Sequence, residues 1–223
     1  MIQANCRARF TAEDFDFIVR SLSHSSRDAV SLTRLLLDAD SRDEVLDHDA
    51  LSSAILESPD SLRISSHLYF YVLSRRVLKN TSVSSRDAAD YIAALLEAYS
   101  HTGQASAATP SPYLSDILIA LREASPAEAF RLRAHLANSA LFLAGIFSGH
   151  LDQRASRGAP DLSFYEDLGS ASFRAAATHR DARRLDLDRI FEEIGAGFRD
   201  ARLALNDLAD RLFHFESPTI PAA

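Results

Sequence analysis

The amino-acid sequence predicts an all-α protein: a multi-helix, mostly antiparallel bundle of about nine helices, closed by a long C-terminal one. Three observations carry that expectation. From Leu187, an apolar position recurs in alternating steps of four and three through Phe191, Ile194, Phe198, Ala201, Leu205, Leu208, Leu212 and Phe215. Only an α-helix places such positions on one stripe. No sustained two-residue alternation of Val, Ile and Thr occurs, and no Asn-Gly or Asp-Gly hairpin turn. Helix starts built from Ser or Thr followed by acids recur along the chain.

The first helix begins after Thr11, with Glu13 and Asp14 in its first turn and Phe15, Ile18, Val19 and Leu22 on one face. Ser26 and Asp28 start a second helix containing Val30, Leu32, Leu35, Leu36 and Leu37. Ser41 opens a third, through Val45, Leu46, Leu51 and Ile55, which stops before Pro59 because the residue preceding proline is pushed out of the α region. The fourth runs from Ser65 to about Leu78. The fifth starts at Ser84 or Ser85, presents Ala88, Tyr91, Ile92, Leu95, Leu96 and Tyr99, and ends near Gly103. Residues 103–112 combine glycine, prolines and small polar side chains, as a linker does.

A sixth helix is expected over about Tyr113–Glu123. Ser125, Pro126 and Glu128 then open a seventh, reaching about His150, since proline fits the first turn and the Ser/Glu pair satisfies free amides. After a loop at Arg154–Pro160 come an eighth helix, Ser163–Thr178, and the ninth, Leu187–Phe215. The tail 216–223, with two prolines, is expected to be loose. Neither half has an obvious complete core, so residues 1–223 are read as a single helical domain, with 103–112 as the place where two subdomains would divide.

The positions flanking the C-terminal seam indicate how that helix packs. Of Asp188, Gly195, Arg202, Ala209, Ile190, Gly197, Ala204 and Arg211, five are small or apolar. An exposed two-stranded coiled coil carries mostly charge there, so the helix is expected inside the bundle rather than in a free zipper. Gly195 and Gly197 each cost about 1 kcal/mol relative to alanine in mid-helix. Either a neighbouring helix or a ligand must approach the backbone there.

Composition excludes several activities. Apolar runs such as Leu68–Leu73 are far short of the roughly 20 residues of a membrane span. The N-terminal residues lack the apolar region of a secretory signal, which points to a cytoplasmic protein. Cys6 is the only cysteine, so no internal disulfide or cysteine-based zinc site forms. Lys79 is the only lysine and sits in Leu-Lys-Asn, which is not a P-loop. Arginine in nearly every other basic position suggests a GC-rich, bacterial genome. The net charge of −7 argues against nucleic-acid binding. Residues 1–60 hold twelve Asp/Glu against six Arg, which makes the N-terminal part acidic.

His67, Tyr71 and Arg75 form the main candidate site. Spaced i, i+4, i+8, they line one face of the fourth helix among Leu68, Phe70, Val72 and Leu73. Two readings follow. One is a structural network of buried polar groups; the other is a pocket for an anionic small molecule, anchored by Arg75 with Tyr71 as donor. Glu44 and His48, with Asp47 and Asp49, have metal-ligand spacing, but no Glu-x-x-His or His-Glu-x-x-His motif accompanies them, so no metal or cofactor is expected. Glu128, Arg131, His135 and Asn138 make a polar helical stripe, and Arg180, Arg183, Arg184 and Arg189 a basic patch interrupted by aspartates. No Gly-x-Ser-x-Gly elbow or Asp-Asp-x-x-Asp motif occurs. By exclusion, the chain is expected to be a non-catalytic interaction or regulatory protein working through helix faces, with a protein partner or a second copy of itself. A ligand-binding protein or enzyme around the fourth helix is the alternative.

Overall fold

The structure is a computed structural model that describes residues 1–103 and 114–216, with side-chain surroundings for 1–100 and 114–212. Within them the chain is all-α, with no strand. Apart from Gly103 and Glu216, the linker expected at 103–112 and the tail at 216–223 lie outside the described residues. The α-helices are α1 (Ala12–Leu22), α2 (Ser26–Leu37), α3 (Ala39–Leu46), α4 (Asp49–Glu57), α5 (Ser66–Leu78), α6 (Arg86–Gly103) and α7 (Leu114–Ala120). They continue as α8 (Pro126–Ile146), α9 (Ser148–Ala155), α10 (Leu162–Ala177), α11 (Arg180–Arg184), α12 (Asp188–Ala196) and α13 (Phe198–Glu216).

Thirteen helices among the described residues replace the expected nine, because three expected helices each break once and the short α11 precedes the last. The third helix divides at Asp47–His48. His48 leaves the helical region (φ −71°, ψ 128°) and its Nδ1 accepts the Ala50 N–H at 3.2 Å, which caps α4. The seventh divides at Phe147, where α9 follows α8. The Ala144 and Gly145 carbonyls accept instead from Asn206 Nδ2 of α13, at 3.1 and 2.5 Å. The ninth divides at Gly197 (φ −102°, ψ 26°).

The last break follows from packing. The loop between α5 and α6 presses on the junction of α12 and α13, with Ser82 Oγ donating to Asp200 Oδ2 at 2.6 Å and Ser85 N–H to Glu193 Oε1 at 2.8 Å. Gly195 faces α10, where an added Cβ would lie 3.1 Å from the Arg174 nitrogen and 3.2 Å from Phe173 Cβ. Both glycines therefore give way to chain segments packed against them, a loop at Gly197 and a helix at Gly195.

The expected seam faces the core. Leu187, Phe191, Ile194, Phe198, Ala201, Leu205 and Leu208 are all buried, in one apolar cluster that reaches back to Cys6. Phe191 sits at its centre. Its ring meets Tyr91 of α6 edge-on at 5.3 Å, Phe173 of α10 at 5.4 Å and Phe130 of α8 at 6.3 Å. The buried Tyr91 hydroxyl is satisfied by Asn138 Oδ1 at 3.0 Å. Asn138 is thus a core residue and does not share a solvated stripe with Glu128 and Arg131, which are exposed.

Asp14 ties the first helix to α5. Its carboxylate completes the cap of α1 by accepting from Thr11 N–H at 2.8 Å. It also accepts from Ser65 N–H at 2.7 Å and Ser65 Oγ at 2.6 Å, and Ser65 caps α5. One buried carboxylate so fixes two helix starts.

Propensity alone predicts that Gly197→Ala gains about 1 kcal/mol. The structure reverses the sign, because the new Cβ would lie 2.5 Å from Val83 Cγ2 and closer still to Ser82 Oγ. Thermal or urea unfolding should show a loss of about 1–3 kcal/mol; a gain would mean that the loop does not press on this junction.

Candidate functional site

The stripe expected on the fourth helix lies on α5. Its three residues do not converge on an open pocket. Tyr71 is fully buried, while His67 and Arg75 are half-buried. Phe10 packs edge-on against the Tyr71 ring at 5.9 Å, and the Arg7 guanidinium lies 5.7 Å from its centroid. The Tyr71 hydroxyl has no hydrogen-bond partner among the described residues. Burial pushes its ionisation well above the ordinary tyrosine range.

Arg75 is held by an acid far away in sequence. Its Nε and Nη2 donate to the two oxygens of Asp47 at 2.7 and 3.1 Å, a two-pronged pairing, and Nη1 donates to the Ser84 carbonyl. Arg86 Nη2 reaches the same Asp47 at 3.1 Å and Arg86 Nη1 lies 3.8 Å from Asp43. Arg7, on the segment before α1, pairs with Asp43 at 3.2 Å and with Asp87, and its backbone N–H donates to Asp90 at 3.0 Å. The network therefore joins the N-terminal segment, α3, the α3–α4 corner, α5 and α6.

Its electrostatics are balanced. Burial pulls the Asp47 carboxyl upward, but hydrogen bonds and charge from Arg75 and Arg86 outweigh it and hold it below the usual carboxylate range. At Asp90, burial wins and the carboxyl is raised despite Arg7. Burial also pushes the adjoining Cys6 thiol up to about 12, so it stays protonated at neutral pH. Beside the network, a crevice too tight for a water molecule runs between α4 and α5, where Lys79 pairs with Asp49 at 2.6 Å and Arg76 donates to Ser52 at 2.9 Å. An anion entering here must displace Asp47 from Arg75.

Sequence reasoning found Arg75 and Tyr71 but missed Arg7, Asp43, Asp87, Asp90 and Arg86. Asp47 entered only beside the metal spacing of Glu44 and His48. In the structure His48 caps α4, Glu44 is exposed, and no group of three or more His, Cys, Asp or Glu among the described residues is placed to hold a metal. The pairs that build the network are 28 to 83 residues apart, beyond any local pattern.

A second surface lies on α2. Of its twelve residues only Leu36 is buried. Val30 and Leu37, seven residues apart on one side of the helix, are 56% and 83% exposed, and Leu35, on another side, is 44% exposed. A mostly apolar groove of about 200 Å³ opens between the end of α1 and the α3–α4 corner, lined by Leu22 and Val45 with His24 and His48, and meets α2 at Leu32. No helix among the described residues is long and apolar enough to cross a membrane. Comparison with protein-family models, with curated proteins and with solved structures returned no match to this chain.

Two outcomes test the ionic network. Arg75→Ala should cost about 2 kcal/mol in chemical unfolding, because Asp47 loses a charged two-pronged partner; an unchanged stability would free Arg75 for a ligand. Asp47 has a depressed folded ionisation, so its contribution is complete above about pH 5 and is lost as pH falls through the ordinary carboxylate range and then the folded value. Unfolding midpoints measured from pH 6 to 2 should fall less steeply in Asp47→Asn than in the parent chain.

Proposed function

We propose that this protein is a non-catalytic interaction module that docks a protein partner through the outer surface of α2 and α3. Val30 and Leu37, seven residues apart on one exposed side of α2, carry the reading. Val30, Leu35 and Leu37 stand in water on a helix anchored by one buried leucine, while the apolar seam of α12 and α13 is occupied by the chain's own core. Isolated exposed apolar residues need no explanation, but a pair on one side of a weakly anchored helix supports reading it as an interaction face.

The charge pattern supports the same surface. Residues 1–60 carry most of the chain's net negative charge, and an uneven field of this kind steers association. Cytoplasmic residence and a bacterial origin belong to this reading and rest on composition: one lysine among the basic residues and one cysteine.

The alternative, an anionic ligand around His67, Tyr71 and Arg75, is supported by the enclosed and unpartnered Tyr71 hydroxyl. It is weakened by the Asp47 carboxylate, which already neutralises Arg75.

Site-specific photocrosslinking decides the matter. A photoreactive residue placed at Val30 or Leu37, in cells that naturally make the chain, should give a discrete heavier adduct. The same probe at exposed Gln153 on α9 should not. Equal crosslinking from both positions, or none from α2, would remove the interaction reading.

A further inference from the structure

We propose that the α3–α4 corner is a proton-sensitive joint, held closed by a neutral His48 and loosened when that ring takes up a proton in mild acid.

The corner depends on one imidazole nitrogen. His48 leaves the helical region, and its Nδ1 accepts the Ala50 N–H at 3.2 Å, which satisfies a free amide in the first turn of α4. A ring nitrogen accepts only while it carries no proton, so the capped state is the neutral ring with its proton on Nε2. Protonation turns Nδ1 into a donor that faces another donor. It also places a positive charge at the N-terminus of a helix, where the peptide dipoles oppose it. A serine or asparagine cap keeps its acceptor oxygen at any pH, whereas an imidazole loses its acceptor within the range of about pH 5 to 8.

The surroundings return little to a charged ring. His48 lines both the tight crevice between α4 and α5 and the groove at the end of α1. The titratable and charged groups along these two are His24 on the α1–α2 turn, Arg75, Arg76 and Lys79 on α5, and Asp47 and Asp49 on either side of His48 in the chain. Asp47 is engaged by Arg75 and Arg86. The Asp49 carboxylate attracts a charged His48, but it stands in water and already holds Lys79. Glu44, four residues back on α3, is exposed, and His48 forms no ion pair among the described residues.

A second histidine supplies the contrast. His179 caps α11 in the same way, its Nδ1 accepting the Asp181 N–H at 3.1 Å. There, however, the Asp181 carboxylate lies 3.5 Å from the same nitrogen. A protonated His179 exchanges the amide for that oxygen and keeps its place. Of the two corners capped by these rings, the one at α4 is therefore the one that protonation opens. The consequence reaches the ionic network, because Asp47, which carries Arg75 and Arg86, is the residue before the cap.

Two measurements test the joint. In the parent chain, NMR spectra taken from about pH 7.5 to 5.5 should show the Ala50 amide proton losing its hydrogen bond in step with protonation of the His48 ring. The second is the unfolding constant in urea at the two ends of that range. His48→Asn, whose side-chain oxygen caps α4 at either pH, should match the parent at the upper pH. On acidification its unfolding constant should rise about fivefold less than the parent's, the effect of one N-cap. His179→Asn should keep the parent's profile. Other groups that titrate in this window do so in all three chains and drop out of the comparison. An Ala50 amide that ignores the His48 ring, or a His48→Asn chain with the parent's profile, would overturn the proposal. So would a His179→Asn chain that flattens the profile as much as His48→Asn, since the geometry at α4 would then not matter.

Discussion

The ring of Phe191 is the contact on which the larger part of the bundle closes. Fully buried, it touches Tyr91, Phe130 and Phe173, so four helices, α6, α8, α10 and α12, meet at one side chain. Removing such a ring from water contributes roughly 2–3 kcal/mol, and each well-oriented aromatic pair adds about 1 kcal/mol. The arrangement also sets the path of the chain. With α12 held by Phe191 and Ile194, α13 must turn at Gly197 to carry Phe198, Ala201, Leu205 and Leu208 into the same core. Asn206 on that helix then closes the end of α8 by binding its last carbonyls.

The opposite side of the core is secured by charge. Arg7, Asp43, Asp47, Arg75, Arg86 and Asp90 pair across the N-terminal segment, α3, the α3–α4 corner, α5 and α6. Such networks define geometry more than they add net stability, because desolvation offsets much of the attraction. Here the geometry brings the N-terminal segment, with Cys6, over Tyr71 and closes that face of α5. The same pairing that makes Arg75 a structural residue reduces its value as an anchor for an incoming anion.

Against these two firmly packed regions, α2 is lightly held. One buried leucine and a half-buried second connect it to the body, and its remaining apolar side chains face water. A helix so placed loses little on rearrangement and gains by covering its outer face.

Local pattern by itself determined the helical class, most helix starts and the buried seam from Leu187 to Leu208. These depend on three-and-four spacing and on capping residues within one turn. Only the tertiary structure decided where the seventh and ninth expected helices break, because those breaks answer remote contacts: Ser82 and Val83 against Gly197, and Asn206 at the end of α8. The candidate site divides along the same line. Tyr71 and Arg75 were legible because they share a helix face, whereas Arg7, Asp87 and Asp90 join them across separations that periodicity does not encode. In α2, Leu32, Leu35 and Leu36 carry the three-and-four spacing of a core helix, yet only Leu36 is buried. Hydrophobicity states that a surface should be covered; whether the chain's own atoms cover it depends on packing between elements, which no single segment contains.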